Sequence, residues 1–154
     1  MRPAARRVSA VLVLLTLQSG CALTLARRPA HAIAPLGVQV LTAVDAAQDV
    51  IIALGQAGTI PPAQERAALK ATVAIGYAGK KLASALRTMD AAQSALEQAQ
   101  ASGEVGALLD VINGLIFEAL APFTDTTVRA QVAGLLKEVN ALLLAIAGAI
   151  ARTS

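Results

Sequence analysis

Cys21 and His31 are the only cysteine and the only histidine in the chain. Any chemistry that needs a thiolate or an imidazole must use them. A Cys–His pair makes a nucleophile and its base only when both are held rigidly within hydrogen-bond reach. His31 instead stands between prolines in Arg27–Pro35 (RRPAHAIAP), a stretch with no hydrophobic period to hold it. One thiol and one imidazole also fall short of the ligand set of a protein zinc site. Asp45 and Asp49 share a helix face at i, i+4. Without a second carboxylate-rich helix or an E-x-x-H motif, they read as a solvated face, not as half of a di-metal site. Ala74–Lys81 (AIGYAGKK) approaches a phosphate loop and fails it, because the pattern needs glycine at position 74 and a hydroxyl at position 81. These residues predict no catalytic site, no metal and no cofactor. Cys21 remains, as a group to be modified.

Its setting is specific. Met1–Arg7 carries three arginines, Val8–Leu17 (VSAVLVLLTL) is uncharged and apolar, and Gln18-Ser19-Gly20 are small or polar. That is the order of a secretory signal peptide: a positive start, an apolar run and a small-residue cleavage region. The positive start stays in the cytoplasm while the apolar run enters the bilayer. With Leu17-Gln18-Ser19-Gly20-Cys21, the segment resembles the signal peptide of bacterial lipoproteins. Ser19-Gly20-Cys21 matches the end of their lipobox; Gln18 stands where Leu is usual, and the Leu falls one position earlier. The resemblance covers about 21 residues. It implies cleavage before Cys21 and acylation of its thiol, palmitate included, so that lipid anchors the new N-terminus. Ala22 stands where inner-membrane lipoproteins of this class carry Asp.

Two other fates for Cys21 stay open. Val8–Ala26 is uncharged and flanked by Arg6-Arg7 and Arg27-Arg28, so it is long enough to serve as an uncleaved anchor. Ordinary cleavage after Ala22 or Ala26 would make the cysteine incidental. Ala30-His31-Ala32 also has the A-x-A form but lies far past the apolar run. Residues flanking Arg6-Arg7 do not match a twin-arginine signal.

The net charge of +3 comes from that leader. Taking Arg2, Arg6 and Arg7 from the thirteen basic residues leaves ten, against ten acidic ones. A neutral remainder with three aromatics (Tyr77, Phe117 and Phe123) has neither the basic stripe nor the stacking platforms of a nucleic-acid binder. With one cysteine there is no internal disulfide, so stability rests on packing. The chain has 36 alanines, and alanine is the strongest helix former.

Periodicity divides the remainder into helices. Val40, Val44, Ala47, Ile51 and Leu54 place a first helix over 36–57, ended by Gly55 and Gly58. Pro62 opens a second, expected to run to Ala101 with Leu69, Val73, Leu82, Leu86, Met89 and Leu96 on its face. A kink is allowed at Gly76 and Gly79, and Ser102-Gly103 closes the helix. A third spans 104–120 with Val105, Leu108, Leu109, Ile112, Leu115, Ile116 and Phe117, and stops at Ala121-Pro122. Thr124 or Asp125 caps the last helix. There Val128, Val132, Leu135, Val139, Leu142 and Ile146 form a 4-3-4-3-4 seam, widened by Leu136, Leu143 and Ile150. Ala141–Ala151 carries no charge and reads as a buried helix end, or as a contact with a membrane or another subunit.

The expected architecture is all-α. Residues 1–20 are a signal peptide (or 8–26 an uncleaved anchor), 21–35 a lipidated tether, and 36–154 an antiparallel bundle of about four alanine-rich helices. The expected function is that of an exported, membrane-anchored lipoprotein facing the periplasm or exterior, non-catalytic, with a structural or protein-interaction role at the cell envelope. Its partners are the membrane and an envelope protein or a second copy, with no nucleic acid. One alternative is a lipid- or hydrophobe-binding amphipathic helical module. Another is a small integral membrane protein, phage- or envelope-associated, anchored by residues 8–26.

Overall fold

A computed structural model describes residues 33–152. They form four helices: α1 Ala34–Gln56, α2 Pro62–Ala91, α3 Ala95–Leu120 and α4 Thr126–Ile150. Each helix packs on the next and α4 closes the ring against α1, with no diagonal approach. This is an antiparallel up-and-down bundle. Atom pairings give the direction: Gly37 lies against Ala83, Gly79 against Leu41, and Gly55 against Glu65, so each step forward on α1 matches a step back on α2. The near end of the bundle holds the start of α1, the α2–α3 turn and the end of α4. The far end holds the other two loops.

The backbones come closest along α1–α2 and α2–α3, and contact is sparsest along α3–α4. Side-chain size explains the difference. The inner face of α2 carries Ala68, Ala71, Ala78, Gly79, Ala83 and Ala85, whereas α4 presents Val132, Leu136, Val139, Leu143 and Ile146. Larger side chains hold helix axes further apart. The core is aliphatic apart from Met89 and Phe123; Thr72 is the only buried polar side chain among the described residues, and its hydroxyl donates to the Leu69 carbonyl at 3.1 Å.

The helix ends follow local chemistry. Gly58 has φ 68°, the left-handed conformation that spares a Cβ clash only for glycine. The Thr59 N–H donates to the Leu54 carbonyl and the Gly58 N–H to that of Gly55, both at 2.9 Å, closing a Schellman motif. Pro62 occupies the first turn of α2. Asp125 caps α4, its Oδ1 accepting from the N–H groups of Thr127 at 2.8 Å and Val128 at 3.0 Å.

The expected helix over 62–101 is two helices. The chain turns at Ala92–Ser94, not at Ser102-Gly103, and α2 runs unbroken through Gly76 and Gly79. A capping box decides the point. Ser94 Oγ accepts from the Glu97 N–H at 3.2 Å, and Glu97 Oε2 accepts from the N–H groups of Gln93 at 2.9 Å and Ser94 at 3.1 Å. The inner face of α2 also differs from expectation: Ile75 is buried while Val73 is 46% exposed, and Leu96, placed on that face, is 70% exposed at the start of α3. Phe117 likewise points outward.

Losing the cap has a readable consequence. Ser94→Ala is expected to destabilise the fold by about 1 kcal/mol at neutral pH. The Glu97 carboxyl is held below its ordinary value of 4.5 by the Gln93 and Ser94 backbone donors, with the Ser94 side chain adding to them. A depressed carboxylate contributes fully above the unfolded value and loses its contribution as pH falls through the folded one. The melting temperature should therefore drop on acidification below about pH 4.5, and drop less in Glu97→Gln. Thermal melts across that range check both.

Candidate functional site

The described residues offer two surface features. The first is a groove of about 310 Å³ between α1 and α2, lined by Leu41, Asp45, Gln48, Val73, Gly76, Tyr77 and Lys80. Gly76 opens its floor; the nearest atom to a methyl placed there is Val44 Cγ1 at 4.0 Å. The Lys80 ammonium stands 5.7 Å from the Tyr77 ring centroid, within cation–π range. The groove thus joins one cation, one carboxylate and one exposed phenol ring. These groups can hold a polar molecule but include neither an activated nucleophile nor a base with its orienting partner.

The second feature is the near end of the bundle. A shallow recess there is lined by Ala34, Pro35, Val38, Gln39 and Arg87. Val38 is 54% exposed and Leu144 65% exposed; with Leu96 they place large apolar side chains on three helices around this end. The Asp90 carboxylate Oδ2 accepts from the Ala34 N–H at 3.1 Å, tying the start of α1 to the last turn of α2.

The residues singled out in the sequence fall as follows. Cys21 and His31, with the whole leader and most of the tether, lie outside the described residues. Asp45 and Asp49 are exposed on α1, and only Asp45 lines the groove. Ala74–Lys81 is regular helix in the middle of α2, where backbone N–H groups are taken by the helix ladder and cannot cradle a phosphate. Among the described residues no group of three or more His, Cys, Asp or Glu side chains gathers where a metal could sit.

No family model, curated protein or solved structure matches the chain. Its own physical properties must carry the functional reading.

Two of those properties concern membranes. By length and composition, α1 and α4 are each long and apolar enough to cross one, and in the bundle only 33% and 28% of their most apolar stretches are buried. The two helices are neighbours in the ring. The uncharged end of α4, expected to be a buried helix end or a contact with a membrane or another subunit, is buried on one side only: Leu142, Leu143 and Ile146 face the core while Ala141, Leu144, Ala145 and Ala147 face outward. The periodic pattern had signalled the inner face. The missing charge on the outer face was the separate signal.

Proposed function

We propose that the chain is an exported lipoprotein, acylated at Cys21 and held on the outer side of a bacterial membrane. Its helical bundle would serve a structural or protein-interaction role at the envelope and carry out no reaction of its own. The observation behind this is Ser19-Gly20-Cys21 following an arginine-rich start and a ten-residue apolar run. The fold is compatible in one respect. The ring of helices closes through residues 33–152, α1 against α4, so cleavage before Cys21 removes no helix from it. The aliphatic outer face of α4 supports a setting near lipid.

Intact mass and N-terminal peptide mass spectrometry on protein made in a bacterial host test the reading. The wild type is expected to begin at Cys21 with added acyl mass and to sediment with membranes. Cys21→Ser is expected to lose the acyl mass. A chain that keeps Met1 and an unmodified Cys21 would overturn it and make 8–26 an uncleaved anchor.

A second reading rests on the apolar length of α1 and α4: a lipid-binding module whose bundle opens to lay these helices on a bilayer. It predicts that unacylated Cys21→Ser protein still floats with liposomes and loses its cooperative thermal transition on binding.

A further inference from the structure

We propose that the near end of the bundle, still folded, seats on the lipid bilayer, with Leu144 and the uncharged outer face of α4 at the boundary between headgroups and acyl chains. This rests on the anchor reading above. Val38 on α1, Leu96 on α3 and Leu144 on α4 are each more than half exposed and surround this one end. The outer residues Ala141, Leu144, Ala145 and Ala147 carry no charge to desolvate, and their backbone N–H and C=O groups are used within the helix.

The occupant follows from the tether. Eleven residues separate Cys21 from Ile33, where the described chain enters the near end, so the link spans twelve Cα–Cα steps. They reach at most about 40 Å, close to the length of the bundle itself at about 1.5 Å per residue. An acylated Cys21 therefore keeps this end, where the tether joins, within about 40 Å of the bilayer and nearer to it on average than the far end. A short tether makes the contact intramolecular, at an effective concentration near the millimolar range, so a patch too small to bind from solution suffices. At this end Asp90 and Glu97 accept backbone N–H donors, and Arg87 and Arg152 carry guanidinium groups of the kind that pair with phosphate.

The chain has no tryptophan, so Leu144→Trp and Phe117→Trp each introduce a single reporter, at exposed positions on opposite ends. Full-length protein of each variant is purified from host membranes and reconstituted into phosphatidylethanolamine–phosphatidylglycerol vesicles with brominated acyl chains. Vesicle flotation and circular dichroism are read alongside fluorescence. The expected result is floating, fully helical protein in which emission from position 144 is blue-shifted and quenched several-fold more than that from position 117. Floating protein with no quenching at position 144 overturns the seating and leaves the anchor standing. Equal quenching at both positions also overturns it, in favour of helices laid lengthwise in the bilayer. Protein that does not float overturns the anchor and the seating together.

Discussion

Phe123→Ala is expected to cost about 3–5 kcal/mol, while Phe117→Ala, six residues earlier, changes stability by no more than about 0.5 kcal/mol. The two phenylalanines are chemically identical and differ in burial: Phe123 is 2% exposed and Phe117 75%. Phe123 lies in the α3–α4 loop, its N–H donating to the Leu120 carbonyl at 3.3 Å, and its ring belongs to the core cluster. It is the only buried aromatic among the described residues, in a core made largely of alanine and branched aliphatics, with Met89. No neighbouring aromatic is present to fill the space it would leave. The loss falls where α3 and α4 approach least closely, so few backbone contacts can compensate. A domain of this size has about 5–15 kcal/mol in total, and urea denaturation of the two variants should separate them clearly. Equal midpoints would show that the far end of the bundle is not closed by the Phe123 ring.

That the two rings have opposite surroundings could not be read from spacing. Phe117 continues an apolar run, Leu115-Ile116-Phe117, in which one adjacent pair can face the core and the third residue cannot. The inner stripe of α3 is Val105, Leu109, Ile112, Ile116 and Ala119, and a small alanine, not the phenylalanine, completes it. The same ambiguity affects α2, where alanines carry much of the inner face and Val73 drew attention away from Ile75. In α1 and α4, branched aliphatics mark the stripe, and the expected residues are those that are buried or half-buried. The helix ends were legible where one residue decides them, at Pro62 and Gly58, and to within one position at the α4 cap, where Asp125 and not Thr124 accepts the N–H groups. The α2–α3 turn depends on two residues acting together: Ser94 accepts and Glu97 returns the bond. Alanine-rich flanks hid that pair. The proposed membrane address belongs to a different kind of information. A leader is recognised in a linear chain by charge, apolar length and a small-residue cleavage region, so its reading at Cys21 depends little on the bundle that follows.

Glycine replacement is expected to have opposite signs on different faces of the same molecule. Gly103, Gly114 and Gly134 are exposed and lie inside helices, and a methyl added at any of them meets nothing within 4 Å. Each substitution by alanine removes backbone freedom from the unfolded chain and should gain about 0.5–1 kcal/mol. The three sites do not share partners, so the triple variant should gain about 1.5–3 kcal/mol. Gly37→Ala makes the same chemical change where α1 meets α2. The new methyl would sit 2.7 Å from the Ala83 Cα and 2.9 Å from its Cβ. Neither of those atoms can rotate away, so the helices must separate, and overpacking of this kind costs about 1–3 kcal/mol. Gly79→Ala should fall between, because its close neighbour at 3.0 Å is Leu41 Cδ2, the movable end of a side chain. Melting temperatures should rank the triple variant above wild type, then Gly79→Ala, then Gly37→Ala. If Gly37→Ala melted above wild type, the helix gain would have won, and the close α1–α2 approach could not depend on a missing side chain. The expected order instead makes the small residues of α1 and α2 the reason this pair packs so tightly, and leaves the glycines of α3 and α4 free to be replaced.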